Sequence, residues 1–472
     1  MTGEVVVTEV VGGSHGLAAA YVAVRALADT YDRSGDVMRG WASVGRRVLL
    51  DADLLESAAL APLTFAEAEA AVLAAVTGRD GALVASTWWE ADAVAIRAAV
   101  AGLEGADALA RGSFEVVDHA LGQALGTLLP AAVLVSLPLL PALAAGGPLL
   151  APALDDLLTE AVAEHPDLVQ HLVNGGGGLL DGLLMGGVLG GVLRGPWRRR
   201  DLEDAAAALA ATYGDPGRGR AARLGPAEAA RHPDGLADLV GGLDRAHRMG
   251  PDGGIEVRTA TAPDGSVRHV VHLPGTDDMT TLPWTRDEDA RDLATNLLLL
   301  AGLDNPYQQG VVDAMTQAGI GPDEPVLLVG HSQGGMVAAA LLAAGGPFHV
   351  TDVVTAGSPT AHVEGFPPGT HVLSLEHRGD LVPLLDGEDN RDRPEQTTVR
   401  FEGAPASGVA EAHGIDRYAA AAAALDAARA EGTAHPSVVD AVRRLEEQGY
   451  VAGPAAPAGT TVTTQLFVVT RD

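Results

Sequence analysis

The pattern Gly330-His331-Ser332-Gln333-Gly334 constrains the fold more than any other stretch of this chain. Ahead of it, Val326-Leu327-Leu328-Val329 reads as a strand buried on both faces. Behind it, Met336 to Ala344 is uninterrupted helix former, closed by Gly345. The chain must therefore turn from strand to helix within a few residues. Such a turn holds Ser332 in a strained backbone conformation and leaves its hydroxyl exposed at the carboxyl end of the strand. Gly330 and Gly334 flank it because a Cβ at either place would clash as the helix folds back. The helix start also aims free N–H groups and a positive dipole end at that hydroxyl.

The pattern alone is weak in a chain with 59 glycines, and Gly12-Gly13-Ser14-His15-Gly16 matches it too. An exposed elbow serine needs earlier strands to carry the groups that stabilise charge, and almost no chain precedes Ser14. Its simpler reading is the N-cap of the helix that follows.

Two strands can be read ahead of Ser332. Ile255 to Ala260 and Ser266 to Leu273 largely alternate with period two, and Pro263-Asp264-Gly265 supplies the turn of a hairpin. The second strand ends in Pro274-Gly275-Thr276. Backbone donors at that address would stabilise a developing oxyanion, so the expected pair is the N–H of Thr276, helped by its hydroxyl, and that of Gln333. Between them, Asp277 to Asn305, with Trp284 and the apolar run Leu293 to Leu303, reads as a lid or substrate-pocket wall, or as ordinary core helix. Trp284 and His331 are the candidate substrate-lining residues.

After the serine, the strand His371 to Glu376 ends near Asp380, the right address for a carboxylate that orients an imidazole; Asp386 and Asp389 compete for the role. His413, on a loop before an alanine-rich helix, is the candidate base, and His435 is the later alternative. The segment Thr460 to Thr470 reads as a strand added to a sheet edge.

The first 120 residues read as a helical domain. Thr64-Phe65-Ala66-Glu67 has the form of a capping box for a helix ending at Thr77. Trp41, Trp88 and Trp89 read as core anchors between helices. Residues 121–200 form an apolar Gly/Pro-rich helical region. Its stretches Leu125–Leu140 and Leu179–Leu193 raise a membrane question. Prolines at 130, 138, 141, 148 and 152 argue against one straight span. Gly182, Gly186 and Gly190 form a small-residue face, and Arg194, Trp197 and Arg198 to Arg200 would suit an anionic surface. Residues 201–254 read as a connector, and 255–472 as the catalytic domain.

The 472 residues carry a net charge of −31 and no lysine, which argues against a nucleic-acid-binding surface. The absence of cysteine excludes thiol catalysis. No cleavable secretory signal is visible at Met1-Thr2-Gly3-Glu4, so the expectation is a cytoplasmic protein or one exported by another route.

Taken together, Val271-His272-Leu273-Pro274-Gly275-Thr276, Gly330 to Gly335, Arg378-Gly379-Asp380-Leu381-Val382-Pro383, and His413 with Tyr418 resemble the class 3, fungal-type lipase branch of the α/β-hydrolases. The early helices loosely resemble the WxG-type helical proteins of actinobacteria, although Ala42-Ser43 follows Trp41. The first resemblance implies an α/β-hydrolase core, a mostly parallel sheet with helices on both faces, behind an all-α N-terminal region. It also implies a Ser332–His413–Asp380 triad that hydrolyses carboxyl esters, of small molecules or lipids, without a metal or organic cofactor. Pro274, where those lipases often carry Arg, and Leu381, where they carry Pro, depart from the pattern. The alternative function is a secreted or membrane-associated helical effector whose hydrolase core is vestigial.

Overall fold

The structure, a computed structural model, describes residues 5–136, 166–179, 201–248, 254–279, 281–452 and 459–472. Residues 137–165 and the stretch carrying Gly182, Gly186, Gly190, Arg194, Trp197 and Arg198 to Arg200 lie outside the described residues. Most of the expected membrane-contacting region therefore lies outside them too. Among the described residues, no helix is long and apolar enough to cross a membrane. The chain divides into two compact units, residues 17–113 and the remainder.

The larger unit is mixed α/β. Its strands are β1 (Val6–Gly12), β2 (Gly219–Arg223), β3 (Glu228–Ala230), β4 (Ile255–Thr261), β5 (Val267–Leu273), β6 (Pro325–His331), β7 (His349–Ala356), β8 (His371–His377), β9 (Gln396–Glu402) and β10 (Thr461–Arg471). They form one sheet in the order β1-β9-β8-β7-β6-β5-β4-β10-β2, with β3 also on β10. The centre, β5 to β9, is parallel, and the flanking pairs are antiparallel.

Period two explains the layers. On β6, Leu327 and Val329 face a core shared with helices Leu236–Arg248, Ile415–Glu431 and Pro436–Glu447. Val326 and Leu328 face the opposite core, with helices Leu293–Leu300, Pro306–Gln317 and Gln333–Ala344. Both faces are covered, so β6 is apolar at successive positions rather than at alternate ones.

Three boundaries differ from the sequence reading. The expected connector 201–254 contributes β2, β3 and a helix whose Leu236, Leu239, Val240 and Leu243 are fully buried in the core. Strand β10 does not close an edge; it lies between β4 and β2. Residues 6–12, assigned to the helical domain, pair antiparallel with β9 instead. Nearby, Ser14 sits in a short 3-10 turn and its hydroxyl donates to Asp440 Oδ2 at 2.6 Å.

The smaller unit is helical. It holds the helices Leu17–Val48, Ala52–Leu60 and Pro62–Thr77 and the start of Ala82–Ser136. The third helix begins at Pro62, with proline in its first turn, so Thr64 to Glu67 lie inside it and form no capping box. Ala28, Gly35 and Ala42 are buried on the first helix, and Ser86, Ala93 and Val100 on the last. Each set repeats every seven residues, one narrow face per helix. Helices that meet over alanine and glycine approach too closely to admit an indole. Trp41 and Trp88, expected in this core, are accordingly 60% and 67% exposed. Trp89 packs edge-on against Tyr31, with ring centroids 4.7 Å apart.

Candidate active site

Strand β6 ends at His331, and the helix Gln333–Ala344 starts one residue after Ser332. Ser332 has φ 52° and ψ −124°, and among the described residues no other non-glycine residue has positive φ. The close approach of strand and helix explains the strain. A Cβ on Gly330 would stand 2.4 Å from the Gly334 carbonyl carbon, and one on Gly334 would stand 2.0 Å from the Leu273 carbonyl oxygen. The Ser332 N–H donates to the Ala356 carbonyl at 3.0 Å, tying the turn to the end of β7.

Asp380 and His413 meet beside this turn. Asp380 follows β8 and is 1% exposed; its Oδ2 accepts from His413 Nδ1 at 2.6 Å and from the Tyr418 hydroxyl at 2.5 Å. Its Oδ1 accepts the Val382 N–H at 2.9 Å. A carboxylate so supplied with donors fixes the tautomer: Nδ1 of His413 carries the proton and Nε2 the lone pair. Nε2 is buried and has no hydrogen-bond partner among the described residues, including the Ser332 hydroxyl. Burial, then the charge of Asp380, push the Tyr418 phenol well up, so it keeps its proton and donates it to Asp380.

His331 holds the other face of the imidazole. The two rings stack with centroids 4.4 Å apart, and His331 Nε2 donates to the His413 carbonyl at 3.0 Å. Burial first, then the nearby His413, lower the His331 pKa to about 3, so it stays neutral and keeps that donor. His331, expected to line a substrate pocket, is placed as a support for His413.

No protein-family model matches this chain. Neither does any curated protein or any solved structure. The chemistry must therefore be read from the side chains themselves.

Thr276 and Gln333 are tied together by a residue the sequence reading passed over. Asn296 Nδ2 donates to Thr276 Oγ1 at 2.9 Å, and Asn296 Oδ1 accepts from Gln333 Nε2 at 2.9 Å. Gln333 Nε2 also donates to the Asp292 carbonyl at 2.9 Å. The Thr276 hydroxyl meets both ends of the Asn296 amide, accepting from Nδ2 at 2.9 Å and donating to Oδ1 at 3.3 Å. Gln333 is the first residue of its helix, so its backbone N–H has no intrahelical acceptor. Neither this N–H nor that of Thr276 donates a hydrogen bond among the described residues. A single asparagine inside the apolar run Leu293–Leu300 was the available signal. Leu299 of the same helix is buried in the core.

Other candidates are engaged elsewhere. Asp386 accepts the Ala361 N–H at 2.6 Å, and Asp389 binds Gln170 and Arg400. His435 caps the helix Pro436–Glu447 by accepting the Ser437 N–H. Trp284, expected beside the substrate, is 79% exposed and has no ring contact among the described residues. Among the described residues no group of three or more His, Asp or Glu side chains is arranged to hold a metal ion.

Proposed function

We propose that this protein is a serine hydrolase that cleaves carboxyl esters through an acyl-enzyme on Ser332, built on an α/β-hydrolase core. One observation carries the reading. A serine held at positive φ between strand and helix stands in the same site as an imidazole whose Nδ1 is bound to a buried carboxylate and whose Nε2 is unpaired.

The chemistry follows from the proton positions. His413 Nε2 takes the proton of Ser332 Oγ as Oγ bonds to the ester carbonyl carbon. The carbonyl oxygen becomes an oxyanion and accepts from the N–H groups of Gln333 and Thr276, and from the Thr276 hydroxyl when its proton turns from Asn296 Oδ1. Collapse breaks the bond to the alcohol, which leaves with the proton held by His413. Water then attacks the acyl-serine as His413 takes its proton; collapse breaks the bond from the acyl carbon to Ser332 Oγ, which takes the proton back from His413 as the carboxylic acid leaves. Asp380 keeps the imidazole oriented and balances its charge while it is protonated. An acyl or lipid ester is the proposed substrate, because the loop after Thr276 exposes Met279, Leu282 and Trp284.

Labelling with a fluorophosphonate, read by intact mass and peptide mapping, tests the proposal. One adduct on Ser332 is expected, and none in Ser332→Ala. A folded wild-type protein that takes no label would sink it. A second reading, a helical binding or effector protein with an inactive core, is favoured by the exposure of Trp41, Trp88, Leu60 and Leu63. It predicts the absence of label together with partner binding by the full chain.

A further inference from the structure

The turn Pro274-Gly275-Thr276 is held from behind by two buried side chains. Tyr307, wholly buried, donates its hydroxyl to the Pro274 carbonyl at 3.0 Å. Arg291, 2% exposed, donates from Nη1 to the Gly275 carbonyl at 2.8 Å. The backbone carbonyl of Arg291 accepts the Asp277 N–H at 2.8 Å, and its Nη2 stands 3.3 Å from Asp277 Oδ2. The Arg291 N–H in turn donates to Asp289 Oδ1 at 2.9 Å. A buried guanidinium is costly unless its donors are used, so this arrangement calls for a reason.

Peptide geometry supplies one. A trans peptide carries its C=O and its N–H on opposite edges. The Gly275 carbonyl turned toward Arg291 therefore turns the Thr276 N–H away from Arg291. Gly275 itself lies against the nucleophile: a Cβ there would stand 2.8 Å from Ser332 Cβ. The residue is glycine for that close approach, and the same lack of a Cβ makes rotation of the 275–276 peptide easy. Rotated by half a turn, this peptide would present a carbonyl oxygen where the oxyanion needs a donor.

We propose that Arg291 is a positioning residue that locks the Gly275–Thr276 peptide with its N–H available to the oxyanion. The inference rests on the hydrolase reading for its consequence, and on the hydrogen bond to Gly275 for its cause. Arg291→Met removes the lock. Crystal structures of the wild type and the variant read the peptide orientation directly, and turnover of p-nitrophenyl esters reads the consequence. The expected result is a folded variant with the 275–276 peptide rotated, kcat lower by about 10²–10³-fold and KM within about threefold, the signature of one lost oxyanion donor. Arg291→Lys, which can still donate to Gly275, is expected to restore part of kcat. An unmoved peptide in Arg291→Met, or a rotated one with unchanged kcat, overturns the proposal. A wild type without esterase activity sinks the hydrolase reading, while the peptide orientation still decides the lock. If the methionine variant does not fold, the same two readouts on Arg291→Lys decide: a lowered kcat together with a rotated 275–276 peptide supports the lock, and any other pairing of the two readouts overturns it.

Discussion

The Tyr418 hydroxyl and His413 Nδ1 converge on one oxygen, Oδ2 of Asp380, at 2.5 and 2.6 Å. The two donors compete for the same negative charge. Removing the phenol leaves more of it for the imidazolium. Tyr418→Phe is therefore expected to move the acid limb of the kcat/KM profile to higher pH. It should also cost about 1–2 kcal/mol of stability through the lost charged hydrogen bond. A pH–rate profile that does not move would show that Tyr418 only fills space.

Ser332 is strained as an L-residue at φ 52°. Glycine relieves that strain and alanine does not. Ser332→Gly and Ser332→Ala should both lose ester hydrolysis, and the glycine variant should be the more stable by about 1–2 kcal/mol. Parallel thermal melts check this; equal midpoints would mean the turn stores no strain.

Asn296 orients both Gln333 and the Thr276 hydroxyl. Asn296→Ala frees the hydroxyl to turn away and leaves the Gln333 amide with one acceptor fewer. The expected effect is a fall in kcat of about 10–100-fold with little change in KM. A rise in KM at constant kcat would assign Asn296 to substrate binding instead.

His331 titrates at about 3 in the folded protein, because burial and then His413 disfavour its charge, against about 6.5 in an unfolded chain. Its folded value is depressed, so its contribution to stability is complete above about pH 6.5 and is lost as pH falls toward 3. The expected slope is about 1.4 kcal/mol per pH unit within that window. Urea unfolding of the wild type and His331→Asn at pH 7, 6 and 5 measures it, and the variant should lose stability less steeply. Identical slopes would contradict the assignment.

Local signals explain what the sequence made legible. The hairpin Ile255 to Leu273 and the strand–turn–helix at Ser332 are written in period two and in glycine spacing, which need no knowledge of distant partners. Asp380 could be picked out by its place after a strand end, and His413 by its place on a loop ahead of an alanine-rich helix. Contacts between remote segments were not legible. Nothing local announces that Val6–Gly12 belongs beside β9, or that Leu236–Arg248 is core rather than connector. The roles of His331, Tyr418 and Asn296 depend on which side chain lies across from them, and a periodic pattern carries no such information. Trp41 and Trp88 failed for a related reason. Size and apolarity suggest burial, but the helices of that unit meet over alanine, glycine and serine.

The pairing of β1 with β9 sets an order of events during synthesis. Ser14 and Asp440, joined by a hydrogen bond beside that pairing, are 426 residues apart. At about 5–20 residues per second, the ribosome takes roughly 20–80 s to deliver the second after the first. For that time the strand Val6–Gly12 has left the ribosome with its valines and no neighbour to cover them. The helical unit that follows it in sequence can fold from its own local contacts in the interval. The sheet is thus completed at this edge by a strand made long before its partner, exposed in the meantime to chaperones and to copies of itself.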